Sequence, residues 1–401
     1  MSIRITSFEG HTFRLVADNN QVSERRKYLR ISIILVACAV LLGIVANAAY
    51  TIELAPGFQF SGYMQNRGYN GDGINTTYKP ERVALSTTAT LPNDSLIYAE
   101  VNYHAWASDR PFYLESAYYD RPLGDGRLRV GKGRRLTFGI VPTFTNRKTS
   151  NYGIVSEAAT QDRVEAVQYT VKKGDIDWGI DIQRANRLGT RAIGEIPDEA
   201  DRNASHTVRH LCMREIRGAP SHELELSTRV GKSWKNGLNA GLSLSAAKLD
   251  DRDLVALTTS SSTNSLTPGA TPSLLPAGTT NDNKLILGLD FALKRPSGIV
   301  LQGEAFDFNV SKLNYNAWYL LLGLERPNGW KFYTRYAEQN MDVAPTTNPL
   351  SWDVQQTVFS IVQPLNKNMW LQYEYEINSE DTDTGAKVDN NIFFTEMYFR
   401  F

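Results

Sequence analysis

Cysteine is nearly absent: Cys38 and Cys212 are the whole supply in 401 residues. The first lies in a segment expected to be removed, which leaves one thiol and excludes an intrachain disulfide. No C-x-x-C-H run occurs, so covalent haem is excluded, and paired C-x-x-C zinc spacing is missing too. Net charge is missing as well. With 43 basic side chains against 43 acidic, nothing in the overall balance points to nucleic acid or to an acidic partner. Long A/E/K/L/R-rich runs at helical period do not occur, and after Ala48 no apolar stretch approaches the roughly 18 residues of a membrane helix. What is abundant is Tyr (19), Phe (16) and Gly (29), a composition suited to many strands and turns. The class expected is all-β.

The stretch "RRKYLRISIILVACAVLLGIVANAAY" has the three parts of a secretory signal peptide. Arg25, Arg26, Lys27 and Arg30 are basic, Ile31 to Val45 form the apolar run, and Ala46 and Ala48 supply small residues for cleavage. The run is about fifteen residues, short for a span of roughly 20, so a removed leader is favoured over a retained anchor. The expected division is residues 1–48 as N-terminal extension and signal peptide, and 49–401 as one β-domain.

Along that domain, strands of about ten residues recur, and the segments between them alternate in length. Short separators are "LPND" (Leu91–Asp94), "PLGDG" (Pro122–Gly126), "KKGD" (Lys172–Asp175), "KNG" (Lys235–Gly237), "RPSG" (Arg295–Gly298), "RPNG" (Arg326–Gly329) and "NKN" (Asn366–Asn368). Each places Gly or Asn where a tight turn needs positive φ. Longer polar connections run over 135–162, 186–220, 250–283, 340–351 and 379–390. Short turns at one end and long loops at the other is the wiring of a membrane barrel.

Period-two alternation supports this. "KLILGLDFAL" sets Leu285, Leu287, Leu289, Phe291 and Leu293 against Ile286, Gly288 and Asp290. "LNAGLSLSAA", "IDWGIDI" and "HELELSTRV" alternate likewise, with Asp177, Asp181, Glu223 and Glu225 on the wet faces. Trp330, Phe332, Trp370, Tyr373 and Tyr375 lie near strand ends, as an interfacial girdle would. From "FQFSGYMQ" to Phe401 about sixteen strands fit, with seven short turns. The expected fold is all-β, a transmembrane antiparallel β-barrel of about sixteen strands with short periplasmic turns and long extracellular loops.

The last nine residues contain five aromatics and alternate Phe393, Thr395, Met397, Phe399 and Phe401 with Phe394, Glu396, Tyr398 and Arg400. The first set is expected to face lipid, with Glu396 and Arg400 facing the interior. This closing strand is expected to pair with the first, and an aromatic strand ending in Phe resembles the assembly signal of Gram-negative outer-membrane barrels, carried here by Tyr398, Phe399 and Phe401. Deleting Phe401 is expected to impair barrel insertion while leaving export intact; normal assembly of the truncated chain would refute this.

"LRVGKGRRLTFGIVP" (Leu128–Pro142) followed by "DRVEAVQYTVKKGDIDWGIDI" (Asp162–Ile182) resembles the phosphate-selective porin family. The likeness covers about 55 residues and departs at Lys132 and Gly133, where that family usually has Gln-Phe. It implies an outer-membrane porin and, by analogy, a homotrimer whose loop between the fifth and sixth strands narrows the pore. By strand count that loop is 135–162. Around it, residues 127–163 hold eight basic residues (Arg127, Arg129, Lys132, Arg134, Arg135, Arg147, Lys148 and Arg163) against two acidic, Glu157 and Asp162, a local excess of +6. Two unit charges ~4 Å apart are worth about 4 kcal/mol at an effective dielectric constant near 20, so unpaired basics in a constriction would select anions. The alternative is that they pair across the lumen with Asp177, Asp181, Glu223 or Glu225. Arg335 and Arg400, with Glu304 and Glu374 as counter-charges, complete the expected lining.

The function expected is passive diffusion of small hydrophilic solutes with a tilt toward anions, phosphate among them. The partners expected are outer-membrane lipid and the barrel-assembly machinery, with no cofactor, no metal and no nucleic acid. Two rivals stay open: a barrel hydrolase or protease using His104 with nearby acids, and an adhesion barrel whose loops carry the function. The stretch holding His206, His210, Cys212 and His222 is expected to be an ordinary exposed loop, although His and thiol together could hold a soft metal. "TTSSSTNSLTPGATPSLLPAGTTNDN" is expected to be a flexible surface loop.

Overall fold

The structure, a computed structural model, describes residues 52–71, 74–104, 111–140, 147–150, 153–160, 162–192, 209–216, 219–259, 273–341, 353–381 and 387–401. Ala46, Ala48 and His206 lie outside the described residues. Glu53–Arg400 form one compact unit.

After a short β1 (Ile52–Ala55), seven strands follow in meander order: β2 (Phe58–Gly71), β3 (Ile74–Leu91), β4 (Ser95–His104), β5 (Phe112–Leu123), β6 (Gly126–Arg134), β7 (Arg163–Lys173) and β8 (Ile176–Arg184). A separate hairpin, β9 (Arg187–Ala192) with β10 (Arg209–Arg214), interrupts the run. Nine more strands complete it: β11 (Leu224–Ser233), β12 (Leu238–Lys248), β13 (Asn283–Lys294), β14 (Ile299–Val310), β15 (Leu313–Glu325), β16 (Lys331–Met341), β17 (Asp353–Pro364), β18 (Met369–Asp381) and β19 (Lys387–Arg400). Each strand from β2 to β8 and from β11 to β19 pairs with its neighbours in an antiparallel ladder; β8 joins β11 and β19 joins β2. These sixteen strands close on themselves and leave no free edge in the ring. Among the described residues two α-helices sit in the connections, α1 (Gly153–Ala159) and α2 (Asp251–Thr258).

The seven short turns fall where Gly and Asn place them. Gly237 and Gly298 adopt φ of +86° and +87°, and a Cβ on either would run into a carbonyl oxygen of the next hairpin, Lys294 or Glu325. Only glycine closes those turns at that spacing. The opposite end departs from the expected alternation. Residues 72–73 alone separate β2 from β3, and Ser311 and Lys312 alone separate β14 from β15, with Ser311 at φ +63°. Serine is a weak turn signal, which hid this hairpin.

Faces follow the alternation. Ile182, Val230, Leu242, Leu289, Leu322 and Phe359 are all about half or more exposed outward, a belt far larger than water tolerates on a monomer and suited to lipid. On β19 Phe393 is exposed while Phe394, Glu396 and Tyr398 are buried on the other side. Trp370 is a correction: it shares the inward face of β18 with Gln372 and Glu374 and stacks on Tyr398 at 4.2 Å. A girdle position was expected because the residue lies at a strand end, but parity decides its direction.

The inward face is not polar all round. Phe306, Phe308, Tyr315, Ala317 and Leu321, from β14 and β15, are buried and apolar. Against them pack Ile154, Val155 and Ala158 of α1, Leu188 and Leu211 of the β9–β10 hairpin, and Leu257, Leu274 and Leu275 of the β12–β13 connection. Two segments expected as ordinary surface loops are therefore partly interior. The physical cause is the matched apolar surface on the inside of β13–β17, which a solvated loop would leave wet.

Candidate functional site

The connection between β6 and β7 is the fifth in the ring, as counted, and it folds inside. Its path is a series of donors delivered to inward side chains of successive strands. Leu136 N–H donates to Gln168 Oε1 of β7 at 3.0 Å. Thr137 hydrogen-bonds Asp181 of β8 and lies 3.1 Å from Ser227 Oγ of β11. Gly139 N–H donates to Ser243 Oγ of β12 at 3.1 Å, and Ile140 N–H to Glu304 Oε1 of β14 at 2.6 Å. Further along, Ser150 donates its N–H and its hydroxyl to the two oxygens of Glu374 on β18, both at 3.0 Å. Arg335 of β16 donates to Thr149 Oγ1 at 2.6 Å and to Gln356 Oε1 at 2.7 Å. In α1, Ser156 Oγ donates to Glu304 Oε2 at 3.4 Å. Glu304 and Glu374 were expected as pore-lining counter-charges; they are instead fastenings for loop backbone, because an acidic wall facing unpaired N–H groups is the cheapest way to satisfy both.

Arg135 anchors the loop's start. It is buried, donates to Glu225 Oε1 at 2.7 Å, to Ser245 Oγ at 2.8 Å and to Ser227 Oγ at 3.2 Å, and its guanidinium lies 4.1 Å from the Phe138 ring centroid. Phe138 in turn stacks on Phe306 at 5.3 Å. Lys284 of β13 reaches the other Glu225 oxygen at 2.7 Å.

The β9–β10 hairpin adds a second inward layer. Gln339 of β16 and Leu211 exchange two bonds at 2.9 Å each. Asp253 of α2 accepts from Arg187 at 2.5 and 2.9 Å and from Leu188 N–H at 2.9 Å. Asp250 caps α2, and the Arg252 side chain holds its carboxyl well below the usual carboxylate range. His210 and Cys212 are fully buried rather than exposed, with His210 Nε2 3.5 Å from Glu157 Oε2. His222 is exposed, and its backbone N–H donates to Asp250 at 3.2 Å. Among the described residues no group of three His, Cys, Asp or Glu is placed to hold a metal ion. His104 ends β4, half-buried, its backbone N–H donating to the Pro111 carbonyl at 2.8 Å.

The +6 excess of residues 127–163 is met in part by acids outside that segment. Arg127 and Arg129 both reach Asp120, at 2.6 and 2.9 Å. Arg163 pairs with Glu115, and Arg134 lies within electrostatic reach of the same carboxylate. Lys148 approaches Glu325 at 3.4 Å. Lys132 shares a strand face with the exposed Val130, an outward position, and meets Glu215 at 2.7 Å. Arg147 lies within electrostatic reach of Tyr398, and Arg400 lies 4.9 Å from the Trp370 ring centroid. Of the four acids expected across the lumen, Glu225 takes Arg135; Asp177 takes Arg229 at 2.6 Å, Asp181 takes hydroxyls, and the Glu223 carbonyl accepts from Ala185 N–H at 2.9 Å.

Sequence reasoning missed Asp120, Glu115, Glu215 and Glu325 as partners. It also missed two buried clusters, Arg229 between Asp177 and Asp290, and Arg67 between Glu81 and Glu396. Alternation signals the inward direction of Arg229 and Asp290, but only register reveals that they meet.

Burial is uneven around the wall. Most inward residues of β14–β17 are buried, as are Gln65, Arg67, Asn102 and Glu115 on β2–β5, while toward the turn ends of β2–β6 Ser61, Tyr63, Tyr98, Glu100, Tyr118 and Arg129 are partly exposed. The loop's contacts run from β7 round to β18 and reach Arg67 of β2, and the partly exposed stretch lies at the turn ends of β2–β6.

No protein-family model and no curated protein sequence matches the chain. Solved structures do. The outer membrane channel DcaP of Acinetobacter baumannii superposes with a TM-score of 0.57 at 11% identity, over 87% of this chain and 99% of that one. An anion-selective porin from Comamonas acidovorans gives 0.53 at 12% identity, over 86% and 99%. OmpT of Vibrio cholerae, an outer membrane protein solved in a trimer form, gives 0.52 at 10% identity, over 86% and 99%. At these identities the likeness is one of fold.

Proposed function

We propose that the chain is a porin in the outer membrane of a Gram-negative bacterium, exported by a cleaved signal peptide and assembled as a homotrimer. It provides a water-filled path for passive diffusion of small hydrophilic solutes. The observation that carries this is the closed sixteen-strand ring with an apolar outside and an inward loop fastened to strands from β7 round to β18. The path's entrance on the turn side is the partly exposed polar stretch of β2–β6 around Ser61, Glu100 and Arg129. No covalent chemistry is part of the proposal.

A modest anion preference, phosphate included among the small anions passed, is the finer proposal. Its support is the cluster of basics near the loop and the fold shared with an anion-selective porin. Because Asp120, Glu115, Glu225 and Glu325 neutralise part of that cluster, the preference is modest. Purified protein in planar bilayers tests both levels: stepwise conductance is expected, and a KCl gradient is expected to give a small anion-directed reversal potential. Absence of steps would refute the channel; a cation-directed potential would refute the preference while leaving the channel standing.

A further inference from the structure

The turn side of the barrel is charged unevenly around the ring. Three hairpins of its first half, over residues 91–96, 120–127 and 172–176, hold four basic and four acidic residues. Four hairpins of its second half, over 232–238, 293–299, 324–332 and 364–369, hold seven basic residues and one acid, an excess of +6. That acid is Glu325, and it is already met by Lys294 at 2.6 Å and by Lys148 of the inward loop at 3.4 Å. Lys235, Arg295 and Arg326, at three successive tips, are exposed, and among the described residues none of the three forms an ion pair. In the first half the charges pair off: Arg127 meets Asp120 at 2.6 Å, and Lys173 lies 3.8 Å from Asp125.

Next to the basic tips the outer face turns apolar at once. Ile299, Leu324, Phe332 and Ile361 are register neighbours on β14 to β17, and Ile299, Phe332 and Ile361 are exposed. Trp330 stacks on Phe332 at 6.2 Å. On β11, Lys232 shares the outward face with Val230, and its ammonium lies 5.5 Å from the centroid of the exposed Trp234 ring. Cations set just beyond an apolar, aromatic edge stand at the depth of bilayer phosphates, with their stems along the apolar surface. A zwitterionic headgroup brings no net charge to such an arc, and an anionic one does. A soluble acidic partner could meet the tips from below, but it would gain nothing from the apolar row or from Lys232, which faces sideways.

Resting on the membrane-channel reading above, we infer that the arc of hairpin tips from β11 to β18 docks anionic phospholipid headgroups, of the phosphatidylglycerol type, in the leaflet on the turn side. The balanced arc from β3 to β8 does not discriminate between headgroups. Anionic lipid therefore gathers along one half of the ring, and the other half takes whatever lipid is there.

The test uses the full protein in detergent micelles holding equal amounts of phosphatidylglycerol and phosphatidylcholine with the same acyl chains, and native mass spectrometry counts the lipids retained. Phosphatidylglycerol is expected to be retained over phosphatidylcholine by about tenfold. Arg326→Gln alone is expected to lower that preference about threefold, and the triple variant Lys235→Gln, Arg295→Gln, Arg326→Gln to bring it within about twofold of parity. The control, Arg121→Gln with Lys173→Gln in the balanced arc, is expected to match the unsubstituted protein. All are expected to keep the fast-migrating form in SDS gel electrophoresis, because none of these side chains takes part in the barrel ladder. Equal retention of the two lipids by the unsubstituted protein would overturn the proposal. So would a triple variant with undiminished preference, a control that loses preference as far as the triple does, or displacement of phosphatidylglycerol by soluble polyglutamate, which would mark the arc as a site for an acidic protein instead. Stepwise ion current in planar bilayers is recorded on the same preparations: its absence would refute the channel, whereas a conducting protein indifferent to phosphatidylglycerol would refute the docking alone.

Discussion

Replacing Glu304 and Glu374 together by alanine is expected to raise the single-channel conductance and to add spontaneous flicker. The two carboxylates hold the inward loop at separate points, Glu304 through Ile140 N–H and Ser156 and Glu374 through Ser150. Truncating each leaves buried donors unpaired, at about 1–3 kcal/mol per orphaned group. The loop then rests on its start, held from Arg135 to Gly139, on Arg335 with Thr149, on Arg67 with the Ser150 carbonyl, and on its apolar packing against Phe306. The barrel ladders do not pass through either side chain, so the ring is expected to stay closed. Loss of two negative charges also sets the sign of a second effect: the reversal potential moves toward greater anion preference. Glutamine at the same positions keeps an acceptor oxygen, so the double Gln variant is expected to retain quiet, narrow channels while showing the same shift in selectivity. That split separates fastening from charge. Alanine variants with unchanged conductance and noise would mean that the loop is held elsewhere or does not narrow the path.

The ring was legible from residues because each of its determinants is local. Gly298 and Gly237 close turns by their own backbone freedom, and the alternation around Leu285–Leu293 fixes which side chains face lipid. Such signals need no knowledge of partners. Destinations of the loops were not legible, because they depend on groups far apart in the chain: Ser150 meets Glu374 across 224 positions, and Leu211 meets Gln339 across 128. The charge of residues 127–163 misled for the same reason. Its excess is real in sequence, but Glu225 and Glu325 arrive from other strands, and Asp120 from the strand before. His210 and Cys212 read as exposed because polar and reactive residues in a long connection usually are; the apolar Leu211 between them, docked inside the barrel, carries both inward.

Removing the Arg67 guanidinium, as in Arg67→Met, is expected to cost the barrel about 3–5 kcal/mol, the penalty of stripping one partner from a buried ion cluster. Arg67 lies on β2, where the last strand joins the first, and its Nε is 2.5 Å from Glu81 of β3 and also bonded to Glu396 of β19. All three side chains are at most 2% exposed. Gln65 donates to Glu396 at 3.2 Å and Tyr69 to Glu81 at 3.3 Å, and neither neutral group can replace a cation. Two carboxylates would then face each other across the closing seam with no positive charge between them. The readout is the temperature at which the folded, fast-migrating form is lost in SDS gel electrophoresis, which is expected to fall well below that of the unsubstituted protein. Combining Arg67→Met with Glu81→Gln and Glu396→Gln removes the stranded charges, so the triple variant is expected to regain most of the loss, a non-additivity that independent sites do not show. Arg67 also donates to the Ser150 carbonyl at 3.3 Å, so the single variant is expected to flicker in bilayers as well, and the triple variant, stable again but still lacking that bond, to keep flickering. A single variant that melts with the parent would place the strength of the seam in its backbone ladder alone.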